Sequence, residues 1–264
     1  MKNKIKLTNA IPWAGRFGSA IAGLLLLAMA TSSLAGSPPA PEVLPPSSLP
    51  YGFSYEEWSA KFWQFNLGQS SKHYALLGVP DICSGPASKV RFPGPNIIGG
   101  DAIHIGTNHI TMPAGTPLFF PVFCLWQDNS ACPLTNFTTL TAVQLAEADE
   151  ANWSAVTETS CTIDGVSVDG MENPTNSIYN VVSPPFSYTT AEKDNVLFAA
   201  FGEAAACIPG DFTIYPAVAE GVYVMLAPLK PGKHTIHTVA VVGPASAPFA
   251  ESEVTWDLTV LPPD

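Results

Sequence analysis

The strictest pattern in this chain is an alternation of polar and apolar side chains over residues 253–260. Its apolar members are Val254, Trp256, Leu258 and Val260. Because successive side chains of a β-strand point to opposite faces, this pattern predicts a strand with one buried and one solvated face. Residues 222–226 and 236–242 are apolar enough for central strands, and the turn-forming residues 228–232 separate them. Together these segments predict a fold built from layered β-sheets.

Two other segments predict helices. Ser54 and Glu57 form a Ser-x-x-Glu capping box, after which aromatic residues recur at helical spacing. We expect this aromatic face to dock on a sheet, because its rings carry a large apolar area. Thr141 and Gln144 open a second predicted helix over about residues 140–156.

Many short strands, Pro- and Gly-containing turns and few helices predict a mainly β fold. The expected architecture is an antiparallel β-sandwich of immunoglobulin-like or jelly-roll type, with one or two packed helices. Of the residues, 47% are hydrophobic and 12% are charged. Disordered chains have the opposite composition, with few hydrophobic and many charged residues. Because no internal repeat or second linker interrupts them, residues 51–264 are predicted to form a single domain.

Residues 1–35 have the three parts of a secretory signal peptide. A basic start (Lys2, Lys4, Lys6 and Arg16) precedes the apolar residues 21–30, and small residues end at Ala35. The apolar run is shorter than the about 20 residues that a transmembrane helix needs. We therefore expect a bacterial protein that is secreted or periplasmic, cleaved after Ala35, with a Pro-rich linker over residues 36–50.

The charge balance of the expected mature protein is strongly acidic. Cleavage would leave 22 acidic and seven basic residues, which changes the formal net charge from −11 to −15. Such a surface argues against nucleic acid as a partner, because phosphates are bound by Lys and Arg. It also repels anionic membrane surfaces, and no membrane span is expected after cleavage.

Five cysteines follow the expected cleavage site, and in an oxidising compartment they are expected to pair. Cys124 and Cys132 bracket a short polar loop, so this bridge is favoured. The second expected bridge joins Cys161 and Cys207, so that Cys83 is expected to be the cysteine without a partner. The connectivity itself stays open, because cysteine spacing does not determine it.

Trp126 and Asp128 are the candidate ligand-binding residues. Both fall between Cys124 and Cys132, in the loop that the favoured bridge would close. A Trp in such a loop can stack on a sugar or anchor a protein partner, while partial burial of Trp126 is the alternative interpretation.

The candidate metal ligands are two histidines from distant segments, His109 and His237, and three carboxylates of one turn-rich stretch, Asp164, Asp169 and Glu172. Imidazoles suit copper or zinc, whereas carboxylates suit calcium. The acidic residues Glu147, Asp149 and Glu150 of the second predicted helix are further calcium candidates. Because none of these spacings matches a known metal-binding loop, no cofactor is expected, and calcium is the alternative.

The sequence contains no P-loop, GxGxxG, HExxH, GxSxG or EF-hand motif. We therefore expect a non-catalytic binding module or an envelope-associated module, with an extracellular glycan or an envelope protein as partner. The alternative is a secreted hydrolase acting on extracellular glycans or esters, or a protein that binds calcium, copper or zinc.

Several short blocks, in this order, resemble a group of uncharacterised secreted bacterial proteins whose C-terminal part is immunoglobulin-like. The blocks are residues 58–63, 113–122, 168–170, 183–186, 221–236 and 254–260. In that group a Cys often stands three residues before Pro-Ala-Gly, where this chain has Ile110. The resemblance implies a fold and an extracytoplasmic location, and it implies no activity.

Overall fold

The computed structural model describes residues 40–73, 90–93, 103–130, 140–244, 246–248 and 250–263. Within them lie β1 (Val43–Leu44), β2 (Ile103–Pro113), β3 (Leu118–Asp128), β4 (Val156–Ile163), β5 (Val166–Ser167), β6 (Asn180–Val182), β7 (Phe186–Thr189), β8 (Thr213–Leu226), β9 (Gly232–Val242) and β10 (Ala250–Leu261). The helices are α1 (Tyr55–Leu67), α2 (Ala142–Trp153) and α3 (Val196–Phe201). The predicted signal peptide, residues 1–35, and the cysteines Cys83 and Cys132 lie outside the described residues.

The first sheet is built around the long strand β8. Antiparallel β3 lies along one edge of β8, and three short strands, β1, β6 and β7, pair with successive parts of the other edge. Apart from its first residues, β8 is almost wholly buried. A single apolar strand therefore organises this sheet.

The second sheet has the order β2-β10-β9-β4-β5. β10 pairs antiparallel with β9 but parallel with β2, from Glu251 opposite Ile103 to Leu261 opposite Pro113. The sheet is therefore mixed, not purely antiparallel as predicted. The two strands are far apart in the chain, so no hairpin imposes an antiparallel direction on them.

The two sheets pack face to face, with Phe120 of β3 and Trp256 of β10 in contact at 5.7 Å between ring centroids. The predicted mainly β sandwich with packed helices is confirmed, whereas its immunoglobulin-like type stays a prediction. Pro39–Asp264 forms one compact unit. Among the described residues, no helix combines the length and apolar character needed to cross a bilayer.

The helix α1 covers the first sheet with the predicted aromatic face. Ser54 and Glu57 form the expected capping box, and the aromatic side chains Tyr55, Trp58, Phe62 and Trp63 are buried. Their rings meet Phe119 of β3 and Tyr223 of β8 mostly edge to face. The helix α2 likewise begins where predicted, and Thr141 and Gln144 form a capping box there.

The Pro-rich residues 36–50 differ from the expected linker where the structure describes them. Val43 and Leu44 form a strand that pairs with the end of β8. Pro50 is buried, and its carbonyl accepts a hydrogen bond of 2.9 Å from Trp58 Nε1. Residues 43–50 thus belong to the sandwich through contacts that proline content does not indicate.

We expect Tyr55→Phe to lower the free energy of unfolding by about 1–3 kcal/mol. The Tyr55 hydroxyl donates to the Leu44 carbonyl (2.7 Å) and accepts from the Met225 N–H (2.8 Å), so its loss leaves two backbone groups unpaired. Urea unfolding measures the change. Tyr215→Phe, at a tyrosine that is 64% exposed, is the control. Equal midpoints for both variants would contradict the bridging role.

Both predicted disulfides are wrong. Cys124 and Cys161 are free, so neither Cys124–Cys132 nor Cys161–Cys207 forms, whereas Cys207 is disulfide-bonded. Cys124 does not begin a loop, because β3 continues past it to Asp128. Cys161 is buried in β4 of the second sheet.

Candidate functional site

Trp126 and Asp128 lie near the end of β3, not in a loop. β3 keeps its pairing with β8 until Asp128 stands opposite Ala217. Residues two apart on a strand share a face, and this face of β3 meets α1 and α3. The structure therefore brings the two predicted ligand-binding residues together, although for a different reason.

A cleft of about 270 Å³ lies between the end of β3 and α3. The described residues that line it include Trp126, Asp128, Ser130, Leu197, Phe201 and Ile208. Ligand sites are typically concave and mostly apolar, with few polar groups, which is the character of this lining.

The aromatic wall of the cleft consists of Trp126 and Phe201. The Trp126 ring packs against Trp63 at 4.5 Å between centroids, and Phe201 approaches it at 5.9 Å. Trp126 is half-buried and Phe201 is 39% exposed. Trp126 thus forms one wall of the cleft and is partly buried against Trp63, as the alternative interpretation held.

The short helix α3 holds Phe201 at the rim. The Asn195 side chain accepts a hydrogen bond from the Phe198 N–H (2.9 Å) and donates to the Ile208 carbonyl (3.3 Å). These bonds cap α3 and tie it to the following segment. Leu197 is buried below the cleft, while Phe198 is 49% exposed and is not among the lining residues.

The Asp128 carboxylate is held by three neutral donors. Its Oδ2 accepts from Trp126 Nε1 (3.0 Å) and from the Tyr188 hydroxyl (2.6 Å), and its Oδ1 accepts from the Ser130 N–H (2.8 Å). Burial, together with the neighbouring Asp128 charge, raises the pKa of Tyr188 well above its ordinary value. The phenol therefore stays a donor and orients the carboxylate.

The predicted metal ligands His109 and His237 lie on β2 and β9, on either side of β10. His109 Nδ1 is 3.3 Å from Asp257, and His237 Nε2 is 3.0 Å from Glu253. Each imidazole therefore has its own carboxylate. In the described part of the chain, no group of three or more His, Cys, Asp or Glu side chains is placed to hold a metal ion.

The predicted carboxylate ligands are also dispersed. Asp164, in the turn between β4 and β5, accepts a hydrogen bond from the Thr235 N–H (2.9 Å) and lies 2.7 Å from His234 Nδ1. Asp169 lines a different cavity, and Glu172 is exposed. The described residues do not bring these three carboxylates into a group that could hold a metal ion.

A second unusual feature is the pair of buried carboxyls Asp149 and Glu220. Among the described residues, neither carboxylate oxygen of Asp149 has a hydrogen-bond partner, while Glu220 accepts a hydrogen bond of 3.0 Å from Asn180 Nδ2. Burial, reinforced by Glu220, raises the pKa of Asp149 to about 8. Glu147 and Glu150, the acidic neighbours of Asp149 in the sequence, are exposed, and Glu220 was not among the predicted site residues. One pattern in the sequence does indicate that Asp149 is buried. It stands four residues from both Leu145 and Trp153, which places it on the buried face of α2.

Comparison with protein-family models, curated proteins and solved structures finds no match for this chain. The resemblance to secreted bacterial proteins therefore stays a prediction. Function is inferred from the cleft alone.

Proposed function

We propose that this chain is an exported, non-catalytic binding module that takes a sugar residue of an extracellular glycan in the cleft between β3 and α3. The observation that supports this most strongly is the meeting of an oriented carboxylate with an aromatic wall in one cleft. The exported location rests on the predicted signal peptide.

The chemistry of the lining suits a sugar ring. A sugar has apolar C–H faces, which pack on aromatic side chains such as Trp126 and Phe201, and hydroxyls, which need acceptors. A carboxylate offers about four acceptor positions, and described residues use three of them at Asp128. The cleft volume of about 270 Å³ suits one small ring and not a long segment of a chain.

The same lining supports binding over glycoside hydrolysis. Glycosidases hold two carboxyl groups across the scissile bond. Among the described lining residues, Asp128 is the only acidic side chain. Asp149 and Glu220 are buried, at 1% and 5% exposure, and cannot reach a polymer.

Phe201→Ala is expected to weaken saccharide binding about tenfold, because it removes half of the aromatic wall. Isothermal titration with cellohexaose, maltohexaose and chitohexaose measures the dissociation constants. Phe198→Ala is the matched control: it deletes the same ring from the same helix, outside the cleft. Trp126→Ala is a weaker test, because Trp126 also packs on Trp63.

Equal affinities for the Phe201 and Phe198 variants would show that saccharides bind elsewhere. The proposed function would be overturned if no saccharide, including the hexamer of glucosamine, bound the wild-type chain.

A further inference from the structure

The charge of Asp128 has no cationic partner in the described part of the protein. Its three hydrogen-bond donors are an indole, a phenol and a backbone amide, all of them neutral. The described ion pairs all involve other carboxylates: Asp194, Asp257, Asp164 and Glu253. Partly buried charges are normally paired, so Asp128 lacks the usual counterion.

The surroundings of Asp128 favour a positive group over a negative one. No described residue lining the cleft is basic, and the chain carries a formal net charge of −11. Aromatic rings such as Trp126 and Phe201 attract cations through their negative faces. A cleft of this composition repels anions and concentrates cations.

We propose that the sugar residue bound in this cleft carries a free ammonium group, as a de-N-acetylated amino sugar does. The inference rests on the proposed function and specifies its ligand. The ammonium would lie against the Asp128 carboxylate, and the ring would lie against Trp126 and Phe201. Tyr188 acts as a positioning residue, because its hydroxyl holds Asp128 Oδ2 at 2.6 Å.

The direct test compares the glucosamine hexamer with the N-acetylglucosamine hexamer by isothermal titration. Their rings are the same, and they differ in the charge and acetylation of the amino group. At about pH 6 amines are protonated, so the glucosamine hexamer should bind about tenfold more tightly. Raising the salt concentration should shrink this preference, because salt screens exposed charges.

Asp128→Asn should abolish the preference, so that the glucosamine and N-acetylglucosamine hexamers bind this variant with equal affinity. The variant keeps the shape of the side chain and removes its charge. Asp211→Asn is the matched control, because it removes one charge from an exposed site away from the cleft lining. Should the Asp128→Asn variant fail to fold, the salt series on the wild-type protein decides the question.

Equal binding of the two hexamers, or a preference that does not change with salt, would overturn the ammonium inference and leave saccharide binding intact. A preference that persists in Asp128→Asn would also overturn it, because the amine would then be recognised elsewhere. If neither hexamer binds but a neutral glucan does, the inference fails and the proposed function stands.

Discussion

Asp149→Asn is expected to raise the free energy of unfolding by a few kcal/mol near pH 8, and to remove much of the loss of stability that the wild type shows as pH rises. The ordinary Asp pKa is 3.8, whereas burial raises that of Asp149 to about 8. Below pH 3.8 the carboxyl is neutral in both the folded and the unfolded state, so its ionisation does not lower the stability. Between the two values the unfolded chain releases this proton and the folded chain keeps it, so stability falls with pH. Above about 8 the decline ends, because both states are then ionised.

The neighbours of Asp149 explain why the folded state holds the proton. Glu220 reinforces the effect of burial on Asp149, and burial, together with Glu150, in turn raises the pKa of Glu220. Burial also raises the pKa of the Cys124 thiol and of the Tyr223 phenol, so both stay uncharged. None of these groups supplies a positive charge. An Asn amide at position 149 is neutral at every pH, so it carries no ionisation cost in the folded state.

Urea unfolding at several pH values between about 5 and 9 measures this effect as a difference between variant and wild type. Glu147→Gln is the control, because it removes an exposed charge from the same helix. Its difference curve should be flat. A flat difference curve for Asp149→Asn would show that the buried carboxyl is not the source of the pH dependence.

Phe119→Ala is expected to destabilise the protein by about 3–5 kcal/mol, the cost of a large cavity in a core. Phe119 is fully buried and stacks on Tyr223 at 5.2 Å between centroids. Tyr55, Trp58 and Phe62 of α1 also pack on this ring. Its removal therefore weakens the contact of α1 with the sheet.

Phe198→Ala makes the same chemical change at a phenylalanine that is 49% exposed, and its cost should stay below about 1 kcal/mol. Thermal and urea unfolding of both variants give the comparison. If Phe119→Ala costs no more than the control, the aromatic contact between α1 and β3 does not hold the fold together.

Local patterns predicted the local elements well. The capping box that opens α1 and the start of α2 at Thr141 and Gln144 were predicted, because each signal joins residues only three apart. The alternation over residues 253–260 predicted β10, which extends from Ala250 to Leu261. In each case the interactions that define the element lie within a few residues of sequence.

The cleft could not be predicted from such local patterns. Trp126 and Asp128 were predicted as ligand-binding residues on the basis of a disulfide loop that does not form. Tyr188 and Phe201, which orient the carboxylate and complete the aromatic wall, were not predicted. They lie about 60 or more residues further along the chain, and no spacing rule connects positions so far apart.

By itself the sequence determined that this chain forms a mainly β fold with capped helices and a buried aromatic helix face. Only the tertiary structure decided that β2 runs parallel to β10, that Cys124 stays free and that Asp149 meets Glu220. Periodicity reports which face of an element is buried, because burial repeats along the element itself. It does not report the partner, because that depends on which distant segments meet when the sheets pack.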